Sequence, residues 1–272
     1  MRGVWAVALN SFRESSRNRI FYGLLATAIL FILSSLLVAN LTVPEARTRV
    51  LLNYGAFSIS LFGVVIAIVM GVIQVHKEID KKTVFSILTR PLSRGSFIVG
   101  KFVGMALILL VALLVLAAVW VAALLIDAAL QRGVLTTVEI APQLAIIPGV
   151  LLLIFVEQLV IASFAVFFSS FSSPILGGVF TVGFFFLGRS VSFLLQLAER
   201  GKGVMKSPLA KSLARAFSAI FPDLSSFNLS QELVQAVKVP ALYLWHATAY
   251  GACYVVIFLI ASIFLFNRRE FA

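Results

Sequence analysis

Residues 76–101 read HKEIDKKTVFSILTRPLSRGSFIVGK, a dense polar block between two apolar runs, 54–75 and 102–126. Each run is long enough to cross a bilayer, which takes about 20 helical residues. Six of the chain's 22 Lys and Arg sit in the block: Lys77, Lys81, Lys82, Arg90, Arg94 and Lys101. Short basic segments between spans are retained on the cytoplasmic side, so the block is expected to face the cytoplasm. It is too short to be a domain, and its pattern suits a docking site for a cytoplasmic partner.

Outward from the block the chain is oily. Hydrophobic residues make up 61% and charged residues 12%, far from the soluble balance. Six apolar stretches reach membrane length: 20–39, 54–75, 102–126, 144–168, 175–197 and 241–266. With no water in the bilayer core each must satisfy its own backbone, so each is expected to be a helix. The predicted fold class is an all-α polytopic membrane protein, with residues 1–272 forming one transmembrane domain. The first apolar run, at 20 residues, exceeds the ~7–15 of a signal-peptide core, so it is expected to persist as the first span. A cytoplasmic N-terminus puts 12 basic residues inside: Arg2, Arg13, Arg17, Arg19, the six of the block, Arg268 and Arg269. Both termini are then cytoplasmic. The long segment 198–240 falls outside and carries Arg200, Lys202, Lys206, Lys211, Arg215 and Lys238, which weakens the bias without reversing it. The net charge of +11 reads as an orientation and headgroup signal. No soluble basic surface with stacking aromatics points to nucleic acid.

Residues 2–17 read as an amphipathic helix lying on the membrane, within an interfacial segment 1–19. Trp5, Ala8, Leu9 and Phe12 recur at helical spacing, with Arg2, Asn10, Arg13 and Arg17 on the other face, the pattern of an interfacial helix. A solvated Arg-rich tail is the alternative. Loops are expected at 40–53 and 127–143, and SSFSSP at 169–174 makes a tight turn that pairs spans four and five as a hairpin. Within 198–240, Ser207-Pro208 supplies a helix start, an apolar face comes next, and Pro222 ends it. That segment is expected to be an external amphipathic or re-entrant helix covering the exit of whatever the spans enclose. Gly63, Ala67 and Gly71, and Gly100 and Gly104, are spaced for close helix packing, within the chain or between copies.

Residues 95–102, GSFIVGKF, imitate a phosphate-binding loop but carry Phe102 where the loop needs Ser or Thr, and no buried strand precedes them. Any ATP is expected on a different polypeptide. The block divides in two. Residues 76–89 can continue span two as a helix, with Glu78 and Lys82 spaced for an i,i+4 pair and Val84, Phe85 and Leu88 as an apolar edge. Pro91 breaks it, and Ser93 or Ser96 can cap the next helix. A helix over 76–89 can transmit a push from a partner; an ordinary solvated loop is the alternative.

Glu78-x4-Thr83-x4-Leu88-Thr89-Arg90-Pro91-Leu92-Ser93-Arg94, with Gly100-Lys101 opening the next span, resembles the permease subunits of type-2 ATP-binding-cassette exporters. Those carry an acidic residue near the end of span two, a hydrophobic helix, an (S/T)-R-P-(V/L)-S-R turn and GK. Lys82 departs from the glycine common before the Thr. The N-terminal helix, six spans and the basic cluster at Arg268 and Arg269 are also similar to that family. The resemblance implies a permease whose ATPase is a separate chain holding the ATP and magnesium, with two permeases and two ATPases assembled in a bacterial inner membrane. It also implies an elbow helix (Trp5, Phe12, Arg13, Arg17) and a coupling helix that docks in the ATPase through Glu78, Lys82, Phe85, Leu88, Arg90, Pro91 and Arg94. A non-transporting scaffold or assembly factor that anchors a partner through the same block is the rival reading.

Ionisable residues inside the spans are few. At about 1.5 Å per residue, Glu157 lies ~17 Å from residue 168 and Arg189 ~21 Å from residue 175. Across the 169–174 turn their depths nearly coincide, so an ion pair within the hairpin is expected. An unpaired charge there costs roughly 2.5–3.5 kcal/mol even on the insertion scale. The pair serves either a polar translocation path or the union of spans four and five. His246 is expected to hydrogen-bond between helices, and Cys253 to be a small buried hydrophobe. No metal-ligand spacing and no nucleophile with a partner base is present, so no catalytic, metal or cofactor residue is expected in this chain. Apolar lining mildly favours lipid-like or amphipathic cargo.

Overall fold

The computed structural model describes residues 2–80, 94–130, 134–200 and 221–268, with Ser212, Ala216 and Ser218 between the last two stretches. The described chain is helical. Helix α1 covers Arg2–Ser16, α2 Arg19–Asn40, α3 Pro44–Asp80, α4 Arg94–Leu130, α5 Val134–Ser169 and α6 Pro174–Arg200. A 3-10 turn at Leu224–Phe227 and the short α7, Ser230–Val234, precede α8, Ala241–Arg268. Six of these helices are long and apolar enough to cross a membrane: α2, α3, α4, α5, α6 and α8.

Local chemistry sets the helix starts. Asn18 caps α2, its Oδ1 accepting the Ile20 N–H at 3.0 Å, which supplies a partner to an otherwise orphaned donor. Pro44 occupies the first residue of α3, where a missing N–H costs nothing. The helices outlast the apolar runs that announce them. Residues 44–53, 127–130 and 134–143 are helix rather than loop, because a hydrophobic run measures hydrocarbon thickness while helix geometry continues into the polar margin. Pro142 and Pro148 lie inside α5, as membrane helices tolerate. Ser169 ends α5 and Pro174 starts α6, with Ser172 N–H donating to Phe168 O at 2.9 Å; the two helices form a hairpin.

Helix α3 is central. In its spanning window 61% of residues are buried, against 11% in that of α8, so α8 presents most of its surface to the outside of the bundle. Helix α3 packs against α2, α4, α5 and α6. Its contacts with α4 include a hydrogen bond from Trp120 Nε1 to Leu51 O, 3.1 Å. Helix α1 lies along the start of α4. The contact is close because Gly100 faces Val7 and the Val4 carbonyl, and Gly104 faces Ser11 and the Ala8 carbonyl; a side chain at either would collide. Gly71 is likewise set against Ala165 of α5. These small residues serve packing within the chain.

The segment 221–234 packs its apolar side chains into the bundle. Leu224, Phe227, Leu229 and Leu233 are buried, and Gly188 of α6 leaves room for Leu224 and the Pro222 carbonyl. Of the helix expected over 208–221, Ser212, Ala216 and Ser218 are helical; its other residues before 221 lie outside the described residues.

Candidate functional site

Three helices bring polar groups together near the middle of the bundle. Ser60 sits midway along the α3 window 46–74, Glu157 comes from α5 and Arg189 from α6. The Glu157 carboxylate is 1% exposed, and burial of a bare charge there is prohibitive without partners. Arg189 supplies them: Nε donates to Oε1 at 2.9 Å, and Nη2 lies 2.8 Å from Oε1 and 3.0 Å from Oε2. This side-on fork is the strong geometry for Arg and carboxylate. Ser60 Oγ donates to Oε2 at 3.1 Å and accepts from Arg189 Nη2 at 2.9 Å. The guanidinium also stands 5.5 Å from the Phe185 ring centre, a cation–π distance.

Arg189 is 27% exposed, and it opens onto a small cavity of ≈ 40 Å³ shared with Phe57, Ile154, Phe227, Asn228 and Ser230. That is room for a few waters at most. The cavity is roofed by residues 227–230, and the roof is tied down nearby. Asp223 accepts from Ser192 Oγ of α6 at 2.6 Å, from Ser226 Oγ at 2.8 Å, and from Ser225 Oγ and N–H at 2.6 and 3.1 Å. Its own N–H donates to Tyr250 Oη of α8 at 2.9 Å. Burial pushes the Asp223 carboxyl up, but the three hydroxyls and the Ser225 N–H outweigh it and hold the group below the usual carboxylate range. A second, larger opening of ≈ 470 Å³ between α5, α6 and α8 is apolar and mostly aromatic, with Phe164, Phe167, Phe180, Phe184, Phe221 and Phe258 on its walls. Among the described residues no cluster of His, Cys, Asp and Glu is arranged to hold a metal ion.

A family model described as ABC-2 family transporter protein matches residues 5–271. The chain belongs to the ABC-2 transporter family. No individual curated protein matches it closely enough to serve as a relative. It is thus a multi-pass membrane protein and a permease of the ABC-2 transporter class.

Seen as an ABC-2 permease, the chain places its sequence-predicted residues unevenly. Lys82, Phe85, Leu88, Arg90 and Pro91 lie outside the described residues. Glu78 lies on α3 and Arg94 begins α4. On α1, Trp5 and Arg13 are exposed and Phe12 is half-buried, and Arg17, in the turn after it, is exposed. The face that packs on α4 is the small one, Ala8, Ser11 and Ser15. His246 and Cys253 are exposed on α8, so neither lies between helices as expected; α8 is apolar on most sides, and its sequence does not say which side packs.

Three features escape the sequence reading. Lys101, counted above with the basic block, is 3% exposed and donates to the Gln74 carbonyl of α3 at 3.2 Å. Residues 95–102 are continuous helix, so the glycine-lysine pair is a packing element and not a phosphate loop. Arg47 and Asp127, assigned above to loops, form an ion pair between α3 and α4, with Arg47 Nε donating to Oδ1 at 2.9 Å. The signal for it was present: antiparallel spans two and three put residue 47 and residue 127 at the same end. Finally, Gln158 of α5 is buried against Gly63, with neither amide atom hydrogen-bonded.

Proposed function

We propose that this chain is the membrane subunit of an ATP-driven exporter in a bacterial inner membrane, with both termini cytoplasmic and ATP hydrolysed by a separate ATPase. Two permease copies assemble with two ATPases. The observation that carries the reading is the family match over nearly the whole chain, joined to the position of the 76–101 block, which includes the end of α3, the most buried span, and the start of α4. A partner pushing on the block acts directly on both helices.

In this reading α1 is the elbow helix, lying at the membrane surface with Trp5, Arg13 and Arg17 toward lipid and headgroups. The block is the coupling element, with Glu78, Lys82, Phe85, Leu88, Arg90, Pro91 and Arg94 forming its contact with the ATPase. Magnesium and ATP belong to that partner. Glu157, Arg189 and Ser60 form the polar floor of the outward path, closed above by residues 227–230, and the aromatic opening beside it suits amphipathic cargo.

The test is on the block. Charge reversal at Glu78 or Arg90, or glycines inserted at Phe85 and Ser86, should lower permease-dependent ATP turnover of the purified complex while the permease stays folded. Variant complexes that keep full transport and normal ATPase association would sink the coupling role.

A further inference from the structure

Apolar helices in a bilayer have no hydrophobic reason to hold register, since lipid tails solvate them as well as neighbours do. Two such helices slide along each other unless something polar pins them. Helices α3 and α4 are pinned at both ends. At one end the Lys101 ammonium donates to Gln74 O at 3.2 Å and has Glu14 Oε2 of α1 at 3.9 Å. The Gln74 side chain donates to Ser15 Oγ, which donates to Ser11 O at 2.8 Å. One network therefore joins α1, α3 and α4. Arg47 and Asp127 pin the other end, ~40 Å along α3 from Gln74 at 1.5 Å per residue, and Trp120 is bonded to Leu51 close by. Sliding by one helical turn would pull Lys101 away from Gln74 O and Asp127 away from Arg47, at positions where a buried charge needs its partners.

We infer that α1, α3 and α4 form one rigid lever, and that Lys101 and Asp127 are the positioning residues that make it rigid. A displacement applied to residues 81–93 then reaches the far end of α3 and α4 undiminished instead of being lost as slip between them. The inference rests on the coupling role proposed above for the block.

The experiment uses the permease with its ATPase in lipid nanodiscs, with Cys253→Ser and spin labels at exposed positions. One pair, Asn53→Cys with Ile126→Cys, spans α3 and α4. A second, Asn53→Cys with Trp245→Cys, measures the lever against α8. Trapping with ATP and vanadate should leave the first distance sharp and unchanged while the second shifts. Lys101→Met should broaden the first, abolish the shift of the second, and lower permease-dependent ATP turnover roughly fivefold with ATPase association intact. Should Lys101→Met fail to assemble, the double change Arg47→Gln with Asp127→Asn, which strands no charge, should do the same from the other end. The swap Arg47→Asp with Asp127→Arg should restore the sharp distance. A first distance that moves on trapping, or stays sharp without either clasp, overturns the lever. If wild-type permease does not bind the ATPase, the coupling role fails instead, and the lever is still decided by the width of the first distance in the permease alone.

Discussion

Two ion pairs among the described residues, Glu157–Arg189 and Arg47–Asp127, obey different rules because they lie at different depths. Glu157 and Arg189 meet mid-bundle beside a cavity with room for a few waters at most, and the protein supplies the partners: both Arg189 donors and the Ser60 hydroxyl converge on both carboxylate oxygens. Arg47 and Asp127 meet at the end of the bundle, where the arginine Nε and Nη2 both converge on Oδ1 and the arginine side chain is 19% exposed. The second site lies close to the ends of both its helices, and the first lies midway along its own. The deep pair is therefore a triad built from three helices, and the peripheral one is a clasp between two.

The contrast is sharpest in what each pair loses when broken. Single changes Glu157→Gln and Arg189→Gln should each destabilise the permease by about 3–5 kcal/mol, the cost of leaving one buried charge alone. The double change should cost less than either, because it leaves no charge behind. Thermal unfolding in detergent and expression level read the stability, and transport by the double variant reads the role. Recovered folding with transport still lost assigns the pair to the path, recovered transport assigns it to structure, and additive losses would mean the side chains do not interact.

At the peripheral pair the same substitutions should matter less. Arg47→Gln and Asp127→Asn should each cost about 1.5–3 kcal/mol, the range for a hydrogen bond to a charged group, with a double change close to the larger single. If Asp127→Asn proves as damaging as Arg189→Gln, then depth does not set the difference, and the clasp is as closed to solvent as the triad.

The same contrast marks what the sequence discloses. Six spans are legible because bilayer thickness imposes one length on any apolar helix. The deep pair is legible because Glu157 and Arg189 interrupt apolar runs on either side of a short turn, so rise per residue places them level. The clasp is hidden by the same logic: Asp127 comes immediately after an apolar run and Arg47 before one, so both read as loop, although the helices continue through them. The burial of Lys101 is not legible at all. It depends on α1 settling onto Gly100 and Gly104, a tertiary fact, whereas in sequence Lys101 looks like one more cation in a basic block. The aromatic opening is also tertiary, assembled from Phe residues of α5, α6 and α8 and from Phe221 before the 3-10 turn.

Asp223 offers the smallest and most reversible break, in the roof above the deep pair. Its hydrogen bonds from Ser192, Ser225 and Ser226 favour the charged form and hold it below the ordinary value of 3.8. A carboxyl whose folded pKa is depressed stabilises the fold fully above its unfolded value and loses that contribution as pH falls through the folded one. At neutral pH the tie between Asp223 and Ser192 is therefore at full strength, and acidification below about pH 4 should loosen it. Amide exchange in residues 223–234, corrected for the intrinsic rate at each pH, should accelerate over that range. Asp223→Asn should exchange faster at neutral pH and lose the acid-dependent step, with the Glu157 and Arg189 triad untouched because Ser192 lies beyond it on α6. An acid step that survives in Asp223→Asn would place the titrating group elsewhere, and the roof would then be held by its buried Leu224, Phe227, Leu229 and Leu233 alone.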